Sequence, residues 1–176
     1  GKVLVSDTGE LTWNTEKAGA GYWTVNTPNT KLFTGFPEGR TINMGNVKLE
    51  IGKTRLNWAT VSLVSRNATG FGESGKPASI LLAATGLAEN EGTVIDKITD
   101  KEIAFQDRLK WGNGTVLVEG IQATVTLPSD AAKTKCHALD QDGNRKKEVP
   151  VEKTEKGSTI ILKPEYKTVW YEIEIN

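Results

Sequence analysis

WATVSLVSRNATGFGESGKPASILLAAT, residues 58–85, is the stretch on which the fold turns. Inside it, GFGESGKP (70–77) fills seven of the eight places of the phosphate-cradling pattern G-x-x-x-x-G-K-[ST], with Gly70, Gly75 and Lys76 in position. The eighth place holds Pro77, where a Ser or Thr hydroxyl would hold Mg²⁺. A phosphate loop must also open a helix whose first N–H groups face the anion. The chain instead continues into PASILLAATG, a short apolar run with Ser, Thr and Gly, and it enters from ATVSLVS, which alternates as a strand does. Strand, glycine-rich excursion and strand make a hairpin, and the nucleotide reading is set aside.

The same signature spreads outward in both directions. YWTVNT, NVKLEI, TVLVEGIQATVTL, STIIL and TVWYEIEI alternate with period two. Between such runs lie NTPNT, GFPEGR, WGNG and DQDGN, each rich in turn formers. Asp142-Gly143 is the strongest hairpin signal and reads as a type I′ turn. AENEGTVIDKITDKEIAFQDRL (88–109) keeps no 3.6 spacing and reads as a long loop with a short strand around Ile103 to Phe105. Convincing helices are absent. Ten or more short strands in 176 residues predict an all-β fold, an antiparallel β-sandwich of jelly-roll type, as one module over 1–176.

Composition narrows the function classes. Lys plus Arg equals Asp plus Glu at 22 each, so no electrostatic footprint marks a nucleic-acid or anionic-membrane partner. No apolar run approaches the roughly 18 residues that span a bilayer. GKVLVSDTG already reads as a strand at the start, which suggests a domain cut from a longer polypeptide or a mature chain after processing. One cysteine, Cys136, permits no internal disulfide and is expected in the core; one histidine, His137, is expected exposed or at an edge.

Side-chain parity sorts the aromatics. In TVWYEIEI, Val169, Tyr171, Ile173 and Ile175 share the core face, and Trp170 stands outside with Glu172 and Glu174. In NWATVSLV, Ala59, Val61 and Leu63 look inward, which turns Trp58 outward. In YWTVN the apolar pair Trp23 and Val25 is expected inside and Tyr22 outside; Trp13, paired with Leu11, is expected in the core. Trp111, in RLKWGNG, sits in a turn where full burial is hard.

Few catalytic chemistries fit. With one histidine and no G-x-S-x-G elbow, a serine or cysteine hydrolase has no base for its nucleophile. A two-carboxylate glycosidase would draw on Glu119, Glu172 or Glu174, but the latter two decorate the outer face and no E-x-D-x-x-E spacing occurs. Asp140, Asp142 and Asn144 imitate the start of a calcium loop, with Gly143 too early and no Glu at the twelfth place. No cofactor is expected; a structural Ca²⁺ held by loop carbonyls elsewhere would leave no trace in sequence. What remains is binding of sugar rings, whose apolar faces suit flat aromatic platforms with a polar rim. Candidate platforms are Trp111, Trp58, Trp170 and Tyr22, with Asn113, Gln106, Asp107 and Arg108 as polar partners of Trp111.

SDTGELTWN (6–14) and GYWTVNTPNTKLFTGF (21–36) resemble the opening of an accessory β-sandwich domain of bacterial multimodular glycoside hydrolases. ILLAATGLAENEG (80–92), NGTVLVEGIQATVTL (113–127), HALDQDGN (137–144) and TVWYEIEI (168–175) resemble later segments of that family, in order. The resemblance implies a non-catalytic module, secreted or at the cell surface, beside a glycosidase catalytic domain in the same chain. Its partner would be a plant cell-wall polysaccharide: β-glucan, xyloglucan, xylan or mannan. The family carries no catalytic residue onto this chain. The alternative is a structural sandwich that packs on the catalytic domain and binds no sugar.

Overall fold

The computed structural model describes residues 1–17, 19–37, 40–72, 75–98, 103–105 and 111–176. Strands β1 (Val3–Val5), β2 (Leu11–Asn14), β3 (Tyr22–Asn26) and β4 (Thr30–Gly35) succeed one another as antiparallel neighbours. β5 (Thr41–Met44) and β6 (Val47–Ile51) form a hairpin in a second sheet, and β7 (Ala59–Ser65) and β8 (Ala78–Thr85) return to the first. β9 (Ala88–Asn90), β10 (Ile95–Ile98), β11 (Ile103–Phe105) and β12 (Val116–Val118) make two small ribbons, β9 with β12 and β10 with β11. The chain then alternates between sheets through β13 (Ala123–Leu127), β14 (Thr134–Leu139), β15 (Arg145–Val149), β16 (Val151–Thr154), β17 (Gly157–Leu162) and β18 (Trp170–Ile175).

The result is an all-β sandwich. One sheet has nine strands in the order β1-β2-β3-β4-β7-β8-β18-β14-β15; the other has five, β16-β17-β13-β6-β5. Alternation is the cause. Ala59, Val61 and Leu63 of β7, Ile80 and Leu82 of β8, and Tyr171 and Ile173 of β18 all point inward. They meet Leu49, Val125, Ile160 and Leu162 of the smaller sheet in one apolar cluster. Cys136 belongs to it, and burial pushes its thiol up to about 12. Short 3-10 turns at Ala131–Lys133 and Pro164–Tyr166 are the helical structure among the described residues.

Several expectations are corrected. Residues 88–98 are more than a loop, since β9 and β10 lie there, although the short strand at 103–105 is where it was expected. TVLVEGIQATVTL breaks at Glu119–Gln122 into β12 and β13, because the Glu119 carboxylate is engaged by the backbone of two other loops. The Asp142-Gly143 hairpin is real but not type I′. Gly143 has φ +84 while Asp142 is not left-handed, and the Gly143 N–H closes on the Asp140 carbonyl at 3.1 Å. This is a three-residue loop with a type I turn and a left-handed glycine. Asp140 accepts from the N–H groups of Asp142 and Asn144 at 2.9 and 2.8 Å, which gives its carboxylate a structural part in the turn.

The parity of β3 is reversed. Trp23 projects outward, whereas Tyr22 turns in and stacks on Phe33 with centroids 5.9 Å apart. Asn26 also faces in, because the buried Lys31 ammonium needs its carbonyl oxygen at 2.6 Å and the Thr27 carbonyl at 2.7 Å. A polar requirement on the inner face thus leaves the apolar set, Trp23 and Val25, on the outer one. Trp13 is carried outward with Trp23, its direct cross-strand partner. His137 is neither exposed nor at an edge: it is half-buried on β14, between β15 and β18.

Candidate functional site

None of the five tryptophans is buried; their exposures run from 40 to 56%. Burying a large aromatic side chain contributes roughly 1.5–3 kcal/mol to folding, so five rings left outside need a reason. They also share one end of the sandwich. Trp13 lies at the end of β2, Trp23 at the start of β3, Trp58 just before β7 and Trp170 at the start of β18. The registers Asn14↔Tyr22, Gly35↔Ala59, Thr60↔Thr85 and Ala83↔Trp170 bring all four strand ends together. Trp111 belongs to the insertion that leaves β8 at this same end.

Register assembles three of the rings into one site. Across the outer face run Trp13↔Trp23, Trp23↔Thr34 and Thr34↔Thr60. One step nearer the strand ends, Phe36 meets Trp58 edge-on, with centroids 5.0 Å apart and planes at 83°. The groove between these rows has a volume of about 430 Å³ and is lined by Trp13, Trp23, Trp58, Phe36, Tyr22, Gly21 and Thr34. Gly21, without a side chain, and Thr34 leave the space that the rings enclose. Among the described residues no charged side chain lines it.

The walls are held in place. The Thr54 hydroxyl accepts from the Trp58 N–H at 2.9 Å and lies 3.1 Å from the Trp58 carbonyl, to which it donates. Asn57, at φ +49, takes the left-handed turn that Asn tolerates and swings Trp58 outward. Arg40 donates to the Phe36 carbonyl at 3.0 Å and to the Ala20 carbonyl, and its guanidinium lies 4.8 Å from the Tyr22 ring centre. Gly35, at φ +142, sits where a Cβ would come within 2.5 Å of the Gly21 carbonyl oxygen and of the Tyr22 Cα, so strands β3 and β4 close only around a glycine.

The sequence-derived site residues are thus divided. Trp58 is in the groove and Tyr22 at its edge. Trp170 lines a separate cleft of about 710 Å³ with Val116, Val118 and the Asp140–Asp142 turn. Trp111 lines a third, of about 230 Å³, with Leu87, Asn90 and Ile95; Asn113 is exposed in the turn just after it. Gln106, Asp107 and Arg108 lie outside the described residues. Trp13 and Trp23, expected in the core, complete the groove instead. A readable signal for them existed in the pairing of two Trp-bearing strands, but it required the register.

The candidate carboxylates are occupied structurally. Glu119 accepts from the backbone N–H of Arg55 at 2.9 Å with one oxygen and of Leu87 at 3.0 Å with the other, bracketing two loops. Glu172 is bridged by Arg66 and Arg145, and Arg145 also reaches Glu174 at 2.6 Å. His137, Glu172 and Glu174 place ligand atoms within 4.8 Å of one another, but the arginines already balance the charge. Burial pushes the Glu172 carboxyl up, yet the hydrogen bonds and charges of Arg145 and Arg66 outweigh it and hold the group below the usual range. Its stabilising contribution is therefore complete above the unfolded value of about 4.3 and disappears as pH falls through the folded value. Both guanidinium groups are about half exposed, so Glu172→Gln should cost only about 1 kcal/mol at pH 7. That corresponds to a Tm lower by about 3 °C. Thermal unfolding at pH 7 and pH 3 checks this: the deficit should vanish at the lower pH, and an equal deficit at both would contradict the ionic latch.

No protein-family model, curated protein or solved structure matches the chain.

Proposed function

We propose that this chain is a non-catalytic carbohydrate-binding module that holds plant cell-wall polysaccharide by aromatic stacking. The supporting observation is the groove itself: Trp13, Trp23, Trp58 and Phe36 around a floor of Gly21 and Thr34, an uncharged lining among the described residues. Pyranose rings present apolar faces rimmed by hydroxyls, and pre-positioned indoles match those faces at low entropic cost. The neutral lining favours β-glucan, xyloglucan, xylan or mannan over acidic glycans. Affinity from a few stacked rings is modest, and tethering to a glycosidase catalytic domain in the same secreted or surface-attached chain would raise the local substrate concentration.

Native gel electrophoresis through soluble mixed-linkage β-glucan, xyloglucan, xylan and galactomannan tests this. Retardation by at least one of them, without release of reducing sugar, is the expected result. No retardation by any of the four overturns it.

A second reading is favoured by a different surface. Val116, Leu117 and Val118 of β12 are all exposed, as is Val94. An exposed apolar ribbon of this kind suits packing against a neighbouring domain. The alternative of a structural accessory sandwich on a glycosidase catalytic domain rests on that ribbon rather than on the groove.

A further inference from the structure

Stacking in the groove discriminates only weakly between neutral sugars. Stacking reads the ring face, and neutral pyranoses differ chiefly in hydroxyl direction, which only hydrogen bonds detect. The hydroxyls of Thr34 and Thr60 in the middle of the face are bonded to each other at 2.7 Å. The groove offers few polar groups beyond its indole N–H groups and the Tyr22 hydroxyl, and the cleft of about 710 Å³ around Trp170 adds more.

We propose that the Trp170 cleft is a second sugar subsite, which selects the glycan by hydrogen bonding while the Trp13–Trp23–Trp58 groove contributes mainly stacking. This rests on the carbohydrate-binding reading of the chain. Trp170 offers a platform that is already fixed. The Thr168 hydroxyl accepts from its N–H at 3.1 Å and donates to its carbonyl at 3.3 Å, repeating the device that Thr54 applies to Trp58. Around it stand Gln141, Asp142, Lys146 and Lys167, all exposed, and none has a hydrogen bond or ion pair through its side chain among the described residues. They offer both donors and acceptors to a ring seated on the indole. Lys167 is held there in the left-handed conformation, at φ +50, with its N–H closing the preceding turn on the Pro164 carbonyl at 2.9 Å.

Both subsites belong to one face. Ser62↔Ala83 and Ala83↔Trp170 put Trp170 two strands from β7, and Trp58 lies four residues from Ser62 along β7. Strand spacing and rise then separate Trp58 from Trp170 by roughly 16 Å. The outer-face side chains between them, Thr60, Ser62, Ala83 and Thr85, are all short. One extended polysaccharide chain running across the strands reaches both.

The test compares affinities of wild type, Trp23→Ala, Trp170→Ala and the double variant Gln141→Ala/Asp142→Ala for mixed-linkage β-glucan, xyloglucan, xylan and galactomannan. A single cooperative thermal transition well above the assay temperature establishes that each variant is folded. Trp23→Ala should weaken all four in about the same ratio and keep their ranking. Trp170→Ala and the double variant should weaken the preferred glycan on the order of tenfold and the poorest less than twofold, flattening the ranking. Should the cleft variants leave every affinity within twofold of wild type while Trp23→Ala still weakens binding, the groove stands and the cleft subsite is refuted. Should wild type bind none of the four, both proposals fall together.

Discussion

Trp23→Ala is expected to weaken polysaccharide binding on the order of 50-fold while leaving the fold intact. The ring is 46% exposed and lies centrally, flanked by Trp13 across one strand boundary and Thr34 across the other. An aromatic side chain presents 150–250 Å² in all, so covering the exposed part with a sugar removes roughly 100 Å² from water. At about 25 cal/mol per Å² this is about 2.5 kcal/mol, a loss on the order of 50-fold in affinity when it is taken away. A module that binds modestly at the outset does not survive such a loss in a gel assay. Stability should change modestly, because the cross-strand pairs with Trp13 and Thr34 are forfeited, about 0.2–1 kcal/mol each. Trp23→Tyr should recover part of the binding, as it restores a flat ring, and Trp111→Ala should leave the groove untouched. Titration calorimetry with the retarding polysaccharide gives the ratio. Wild-type affinity in Trp23→Ala would remove the groove from consideration, whatever Trp170→Ala then did.

How much of this was legible depended on whether one element or several had to be read. β7, β8 and β18 carry unbroken alternation with apolar inner residues, Ser65 at the end of β7 excepted, so the outward direction of Trp58 and Trp170 can be read from either strand alone. In β3 the rule fails, because YWTVN has an aromatic at each parity and local pattern cannot choose. The choice is made by Lys31, five residues beyond Asn26, whose buried ammonium claims the Asn26 side chain and lies 5.3 Å from the ring centre of Phe71. Fixing the parity of β3 therefore draws on β4 and on Phe71, in the connection between β7 and β8. The groove is non-local in the same sense: Trp13, Trp23 and Trp58 meet only through three successive registers. Glu119 shows the converse. As a carboxylate in LVEGI it looks available for chemistry, and only the positions of the Arg55 and Leu87 amides show both oxygens to be engaged.

The phosphate-loop likeness at residues 70–77 leads to the other large effect, which concerns stability. Between β7 and β8 the chain drives Phe71 into the core, where the ring has no exposure and sits beside the Lys31 ammonium. Gly72 comes next at φ +97, so close to Ser129 that a Cβ would come within 2.7 Å of the serine Cβ and 3.0 Å of Ile175 Cδ1. Gly70 and Gly75, which imitate a phosphate loop, take left-handed turn positions at φ +75 and +65, while Gly72 between them lets the chain pass against the first residues after β13. Phe71→Ala leaves a cavity that these rigid strands cannot close, and should cost about 3–5 kcal/mol, or roughly 10 °C in Tm for a chain of this size. It also removes the ring beside a buried cation, which places the effect toward the upper end of that range. Lys76→Ala, by contrast, alters an exposed side chain in the turn and should stay within about 0.5 kcal/mol of wild type. Denaturant unfolding of the two variants separates the readings. A nucleotide site would make Lys76 the sensitive residue for ATP binding and Phe71 a bystander, whereas a core anchor makes Phe71 the sensitive residue for folding and leaves Lys76 silent in both assays.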